Sequence, residues 1–175
     1  MKKSEGEFTP VRVVRTVKGN HARGTVNIRQ VETITREILP TLEEQFTDIG
    51  IIAPYNQVNA LNTALQASGR GYVAATVHKF QGREDDAIVL STVDNQVQEF
   101  TDDPHLLNVA VSRAKKQFTL VVSADEQPDS NIRDLIDYIE YYQGRIEQSE
   151  ISSVFDLLYE EYTRELLDFY KTHRR

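Results

Sequence analysis

The chain has 175 residues, 39% of them apolar and 27% charged, which fits one compact domain with room for an appendage and argues against a disordered chain. No apolar run approaches the ~20 residues of a membrane span, the start MKKSEGEFTP lacks the apolar core of a secretory signal, and no cysteine is present for a disulfide or thiolate site, so a cytoplasmic location is expected. The net charge of −7 is uneven: residues 1–123 hold 14 basic and 14 acidic side chains, residues 124–175 hold 6 and 13, and no basic stripe suited to bulk nucleic-acid binding is visible.

Residues 1–10 read as a poorly ordered start. Val11 to Val17 alternates apolar and basic residues and predicts an edge strand, and KGNHARG (18–24) a loop. From Asn27, Val31, Ile34, Ile38 and Leu39 recur at helical spacing until Pro40, which is expected to stop the helix. Ile49 to Ala53 is a short apolar run typical of a strand buried on both faces. After Pro54, Val58, Leu61 and Leu65 mark a helix that stops near Gly69 and Gly71. Tyr72 to Val77 predicts a second buried strand and Ala87 to Val93 a third, with the polar KFQGREDD loop between them. Pro104 suits a helix start; Leu106, Leu107, Ala110 and Ala114 share one face of a helix expected to end near Lys116. Phe118 to Ser123 predicts a fourth strand.

Continuously apolar strands alternating with helices are the pattern of a parallel sheet covered on both sides. Beyond Ser123 the pattern changes. Ser130 is placed to cap a helix carrying Ile132, Leu135, Ile136 and Ile139, and after the polar QGRIEQSE stretch a second amphipathic helix is expected from about Ser152 to Tyr170. The expected organisation is therefore a start at 1–10, an α/β domain at 11–124 and a helical extension or linker at 125–175.

Three segments stand out at the ends of predicted strands or on the adjoining helices, the edge where open parallel sheets place ligands. They are IGIIAPYNQV (49–58), TVHKFQGREDDAIVLSTV (76–93) and LNVAVSRAKKQFTLVV (107–122). Together they resemble motifs IV, V and VI of superfamily 1B helicases of the nonsense-decay type. Phe80 to Glu84 matches the FQGRE core of motif V, Leu107 to Ala114 every fixed position of motif VI, and Ile49 to Tyr55 motif IV with Ala53 in place of threonine. The resemblance covers roughly residues 27–123 and implies an α/β, RecA-like three-layer sandwich with a mostly parallel sheet, followed by C-terminal helices.

The resemblance also assigns roles. ATP bound between two RecA-like lobes gains negative charge on its γ-phosphate during hydrolysis, and a guanidinium reaching across the cleft stabilises that charge; Arg113 is identified with this arginine finger. Gly82 would let the backbone turn tightly beside a ligand. Glu84 would contact the ribose or the γ-phosphate network, and Arg83 and Gln81 would hold that loop. Arg29, in the segment Asn27 to Glu32, is a candidate second arginine, or an ordinary residue of a helix start. Single-strand contacts, made to phosphates and blind to sequence, fall on Pro54, Tyr55, Asn56, Thr76 and His78, although His78 stands where many relatives have an aspartate or serine and Tyr55 could equally cap the core. No His, Cys or carboxylate cluster is spaced to make His78 a metal ligand.

Nothing in the chain fits G-x-x-x-x-G-K-[ST], and no strand ends in a magnesium-binding acidic pair. The implied arrangement is a C-terminal motor lobe whose ATP and Mg2+ are held mainly by an N-terminal lobe of the same polypeptide. Its expected partners are that lobe and single-stranded DNA or RNA, with no membrane; SSVFDLLYEEY (152–162) suggests a fused effector beyond. By itself the chain is expected to be inactive. The alternative is a non-enzymatic RecA-like module that binds nucleic acid or protein.

Overall fold

The computed structural model describes residues 11–17, 22–23, 26–80, 82–93, 103–123, 129–141, 144–150 and 164–173. Among the described residues eight strands are present: β1 (Val11–Arg15), β2 (Ala22–Arg23), β3 (Val26–Asn27), β4 (Ile49–Ile52), β5 (Ala74–Ala75), β6 (Asp85–Ser91), β7 (Ala114–Val122) and β8 (Arg145–Gln148). Six form one sheet in the order β5-β4-β6-β7-β1-β8, and every pairing in it is parallel. β2 and β3 make a separate antiparallel pair.

Alternate side chains of the central strands enter two apolar cores. Val14, Ile51, Val89 and Val121 face α1 (Ile28–Thr33), α2 (Leu39–Glu43) and α3 (Tyr55–Ala67), where Val31, Leu42, Leu61 and Leu65 are buried. Val13, Ile52, Ile88, Leu90 and Leu120 face α4 (Pro104–Ser112) and α5 (Asn131–Tyr141) through Leu107, Ala110, Ile132, Ile136 and Ile139. The three-layer α/β sandwich expected from the strand pattern is present, because strands covered on both faces must be apolar at successive positions.

Several boundaries differ from the sequence reading. β1 is not an edge strand: β7 pairs with it on one side and β8 on the other. Arg12 is tolerated inside because its Nε lies 3.1 Å from Glu147 on β8, which also meets Arg145 at 2.7 Å. Burial still pulls the Arg12 guanidinium below its ordinary range, with Glu147 opposing that shift. β8 itself comes from RIEQ, a stretch read as polar connection, and it inserts a strand into the extension expected to be helical.

Pro40 does not stop its helix either. Between α1 and α2 the chain makes a π turn at Ile34–Ile38, in which the Leu39 N–H reaches back to the Ile34 carbonyl. That widened turn carries the Pro40 ring past the carbonyl it would strike in a regular helix, and α2 continues to Glu43. α4 ends earlier than expected, at Ser112, and Ala114 already belongs to β7. β5 is only two residues long at the sheet edge.

Other expectations hold. α3 ends before Gly69, which takes a φ of +76°, and the Ser130 hydroxyl accepts the Arg133 N–H at 3.1 Å as the cap of α5. Most of the helix expected from about Ser152 to Tyr170 lies outside the described residues, of which 164–172 are helical.

Candidate nucleotide and nucleic-acid sites

Parallel strands give the sheet two chemically different edges, and the candidate residues divide between them. At the edge where strands begin, α4 delivers Arg113. Asp103 caps the start of this helix by accepting the His105 N–H, and Arg113 is its C-terminal cap. The Arg113 carbonyl accepts the Asp85 N–H at 3.1 Å, which ties the end of α4 to the start of β6. The side chain is half-buried, makes no ion pair among the described residues, and has its Nε sealed from water without a hydrogen-bond partner. A buried donor without an acceptor costs ~1–3 kcal/mol.

Gly82, Arg83 and Glu84 precede β6 at the same edge. Gly82 has a φ of +76° and open space where a Cβ would stand, so its backbone conformation, and not crowding, is what calls for glycine. Arg83 lies 4.6 Å from the centre of the Phe80 ring and 3.4 Å from Asp85 Oδ2. Glu84 is exposed and free of partners among the described residues. Gln81 lies outside the described residues. Asp85 was not foreseen: it is buried, its Oδ2 has no hydrogen bond, and burial raises its pKa while Arg83 pulls it down.

Phe80 anchors this edge. It is fully buried and packs onto Gly50 of β4, where an added Cβ would collide with the Phe80 ring and stand 2.6 Å from Asp85 Oδ2 and 2.7 Å from Ile88 Cδ1. The FQGRE segment therefore plugs into the domain through its phenylalanine and presents its charged residues outward.

Pro54, Tyr55, Thr76 and His78 sit at the opposite edge, where β4 and β5 end, and line one cavity of about 240 Å³ with Leu90 and Leu106 on its inner wall. Asn56 is exposed beside them in the first turn of α3, whose N-cap residue is Pro54. Arg29 also belongs to this half of the molecule. It is in the first turn of α1, whose cap Asn27 donates to the Val93 carbonyl at 2.7 Å and lies 3.4 Å from Ser123 Oγ, just past the ends of β6 and β7. The structure thus separates Arg29 from Arg113 by the depth of the sheet. Arg29 is buried, with Glu32 at 3.8 Å, and burial lowers its pKa against the pull of that carboxylate. The expectation that all three segments gather at the strand ends holds for 49–58 and the start of 76–93, and fails for Gly82 to Glu84 and Arg113.

A buried polar network beneath the strand-end edge was also not foreseen. Gln57 brackets the Asn27 backbone, accepting its N–H and donating to its carbonyl, both at 3.0 Å. Gln30 accepts from Ser91 Oγ at 2.7 Å and from the Val93 N–H at 3.0 Å. These bonds hold Val93 at a φ of +68°, a conformation costly for a β-branched residue. A signal existed in the sequence: Gln57 lies on the stripe of Leu61 and Leu65, and Gln30 on that of Ile34 and Ile38, so a polar side chain heads each apolar face.

A sequence profile of the AAA domain family matches residues 8–125. The chain is 41% identical over 85 residues to a regulator of nonsense transcripts 1 homolog of Neurospora crassa, a match covering 42% of this chain and 8% of that protein. It is 31% identical over 149 residues to the DNA-binding protein SMUBP-2 of Rattus norvegicus, covering 79% of this chain and 15% of that one. With the DNA replication ATP-dependent helicase/nuclease DNA2 of Homo sapiens it shares 41% identity over 80 residues, 43% of this chain and 8% of the relative. The chain thus spans a small fraction of the length of the curated relatives it matches. Among solved structures, the C-terminal domain of a possible DNA helicase from Lactobacillus plantarum superposes with a TM-score of 0.54 at 20% identity, over 79% of this chain and 85% of that one. At that identity the likeness speaks for the fold.

Proposed function

The chain belongs to the AAA domain family as a C-terminal RecA-like lobe of the superfamily 1 helicase type, and from that premise we propose that it is half of an ATP-driven motor acting on single-stranded nucleic acid. In this reading Arg113 is the arginine finger. The observation that carries it is a half-buried guanidinium at the rim, fixed through its backbone to β6, with no ion pair and no partner for its Nε among the described residues. A structural arginine in such a place would be expected to hold a carboxylate or carbonyl; this one is left to meet an anion from outside. Glu84, exposed on the same edge, would monitor the nucleotide, and Arg83 would be held by the Phe80 ring and Asp85 until the lobes close.

These residues fit the far side of a triphosphate and not its whole binding site. ATP supplies the γ-phosphoryl group, and the phosphate loop and the ligands of Mg2+ belong to the N-terminal lobe. Arg29, on the other edge, would serve nucleic acid or the inner structure rather than the finger's site. Pro54, Tyr55, Asn56, Thr76 and His78 would contact the strand, and the motor lobe, read from the sequence as residues 11–124, would be completed by α5 and β8, with a helicase's further parts supplied elsewhere.

The test is single-turnover ATP hydrolysis by a polypeptide that joins this lobe to its phosphate-loop lobe. Arg113→Ala should lower the rate by roughly 10³-fold or more, as loss of an arginine finger does in other NTPases. Unchanged hydrolysis would remove the finger assignment. The chain alone should hydrolyse ATP no faster than background, and robust turnover by it would overturn the half-site reading.

A further inference from the structure

Asp85 stands where a regular strand would not put it. Residues two apart in a strand share a face, and Ala87 belongs to the core beneath α1, α2 and α3. Yet Asp85 Oδ2 approaches Gly50 beside Phe80 and Ile88, which belong to the opposite core. The change of side coincides with a shift of register between β6 and β7 at Asp85 to Ala87, and such irregularities re-aim side chains. Gly50 completes the space, since a Cβ there would stand 2.6 Å from Oδ2.

As a stabilising contact this placement is poor. The carboxylate is buried, its Oδ2 makes no hydrogen bond among the described residues, and burial opposes its ionisation, as do Asp48 and Asp86. Against this stands an ion pair with Arg83 Nη2 at 3.4 Å, whose guanidinium also lies 4.6 Å from the centre of the Phe80 ring. A buried carboxylate with one long contact does little for stability; its consequence lies in the turn before β6. Arg83 is drawn inward onto Phe80 and Asp85, and Glu84, between two anchored residues, is left exposed. We infer that Asp85 is a positioning residue for the nucleotide: through Arg83 it fixes the turn that presents Glu84 before the lobes close. This rests on the reading of Glu84 as a nucleotide-facing group and adds the residue that aligns it. With the turn loose, Glu84 must be ordered on binding, and affinity falls. Arg113 is less affected, because its carbonyl is held by the Asp85 backbone N–H, which survives replacement of the carboxylate.

The test joins kinetics with a measurement on the lobe by itself. In the polypeptide that joins this lobe to its phosphate-loop lobe, Asp85→Asn should raise KM for ATP about fivefold, the factor at the upper end for a partly exposed ion pair. Its kcat should change less than about twofold, the pattern of a lost ground-state contact, whereas Arg113→Ala acts on kcat. Arg83→Ala should raise KM alike, and the double variant no further, because the two residues act as one device. In a Glu84→Ala background, Asp85→Asn should add less than about twofold to KM. In the 175-residue chain, Asp85→Asn should speed hydrogen exchange of the Arg83 amide, which donates to the Phe80 carbonyl at 3.2 Å, and should raise the unfolding temperature at pH 7. Weaker ATP binding by a more stable lobe is what positioning predicts and what a merely structural carboxylate does not. An unchanged KM, or a rise that persists in full in the Glu84→Ala background, would overturn the positioning role and leave the Arg113 reading standing. A joined polypeptide that hydrolyses no ATP would overturn both.

Discussion

Asp85 and Gln57 show how single polar side chains shape this lobe. Asp85 is buried with a raised pKa, so the folded chain binds its proton more tightly than the unfolded chain does. By linkage, that group's contribution to stability declines as pH rises from the ordinary carboxylate range through the raised value. Asp85→Asn is therefore expected to raise the unfolding temperature at pH 7, by an amount that shrinks towards pH 4; thermal unfolding across that range checks it, and a gain that grows on acidification would contradict the sign. Gln57→Met should cost about 1–3 kcal/mol in denaturant unfolding, because the Asn27 N–H and carbonyl would lose their partners away from water. Roles of this kind are only faintly legible in sequence. Gln57 and Gln30 could be noticed at the head of apolar stripes, but nothing in their spacing says what they meet, since Asn27 lies 30 residues from Gln57 and Val93 lies 63 residues from Gln30.

At the level of elements, sequence and structure agree where hydrophobicity dominates. β4, β6 and β7 are apolar at successive positions and α5 has its stripe of isoleucines, so periodicity locates them. β8 escapes because RIEQ has one apolar residue and covers β1 from a sheet edge. The start of β7 escapes because Lys115 and Lys116 project from it into solvent and continue the helical pattern of α4. Arg113 and Arg29 look equivalent as helix-end arginines, and only the direction of the helices shows that they occupy opposite edges: α1 starts where α4 starts, and Arg113 is at the far end of α4.

The π turn and the Gly50 contact each make a prediction at this scale. Pro40→Ala should change stability by less than about 1 kcal/mol, against the ~3 kcal/mol typical of a proline in a helix interior; a full gain of that size would mean the widened turn does not relieve the ring. Gly50→Ala should destabilise the domain by about 1–3 kcal/mol, as overpacking does, since Phe80 or Ile88 must move. Both are read from urea unfolding.

For the molecule as a whole, the question is where the folded unit ends. The sheet does not stop with β7: α5 buries Ile132, Ile136 and Ile139, and β8 supplies Glu147 to the buried Arg12. Truncation after residue 124 is expected to strip one face of β1 and leave that arginine unpaired, abolishing cooperative unfolding, whereas truncation after residue 150 should preserve it. Calorimetry of the two shortened chains distinguishes the outcomes, and a cooperative transition in the shorter one would assign α5 and β8 to a linker. The absence of a basic stripe sets a second whole-molecule expectation: strand binding should fall only gently with salt, because few phosphates are neutralised.

The position of β1 has a consequence for how the protein is made. Its partners β7 and β8 begin about a hundred or more residues later in the chain. At ~5–20 residues per second of synthesis, β1 waits on the order of 5–20 seconds, apolar and unpaired, before its neighbours leave the ribosome. Closing such long loops is also what slows folding in parallel sheets. The nascent chain exposes an apolar strand in that interval, and slowing translation between residues 16 and 117 should lower the soluble yield, while slowing it after residue 150 should not.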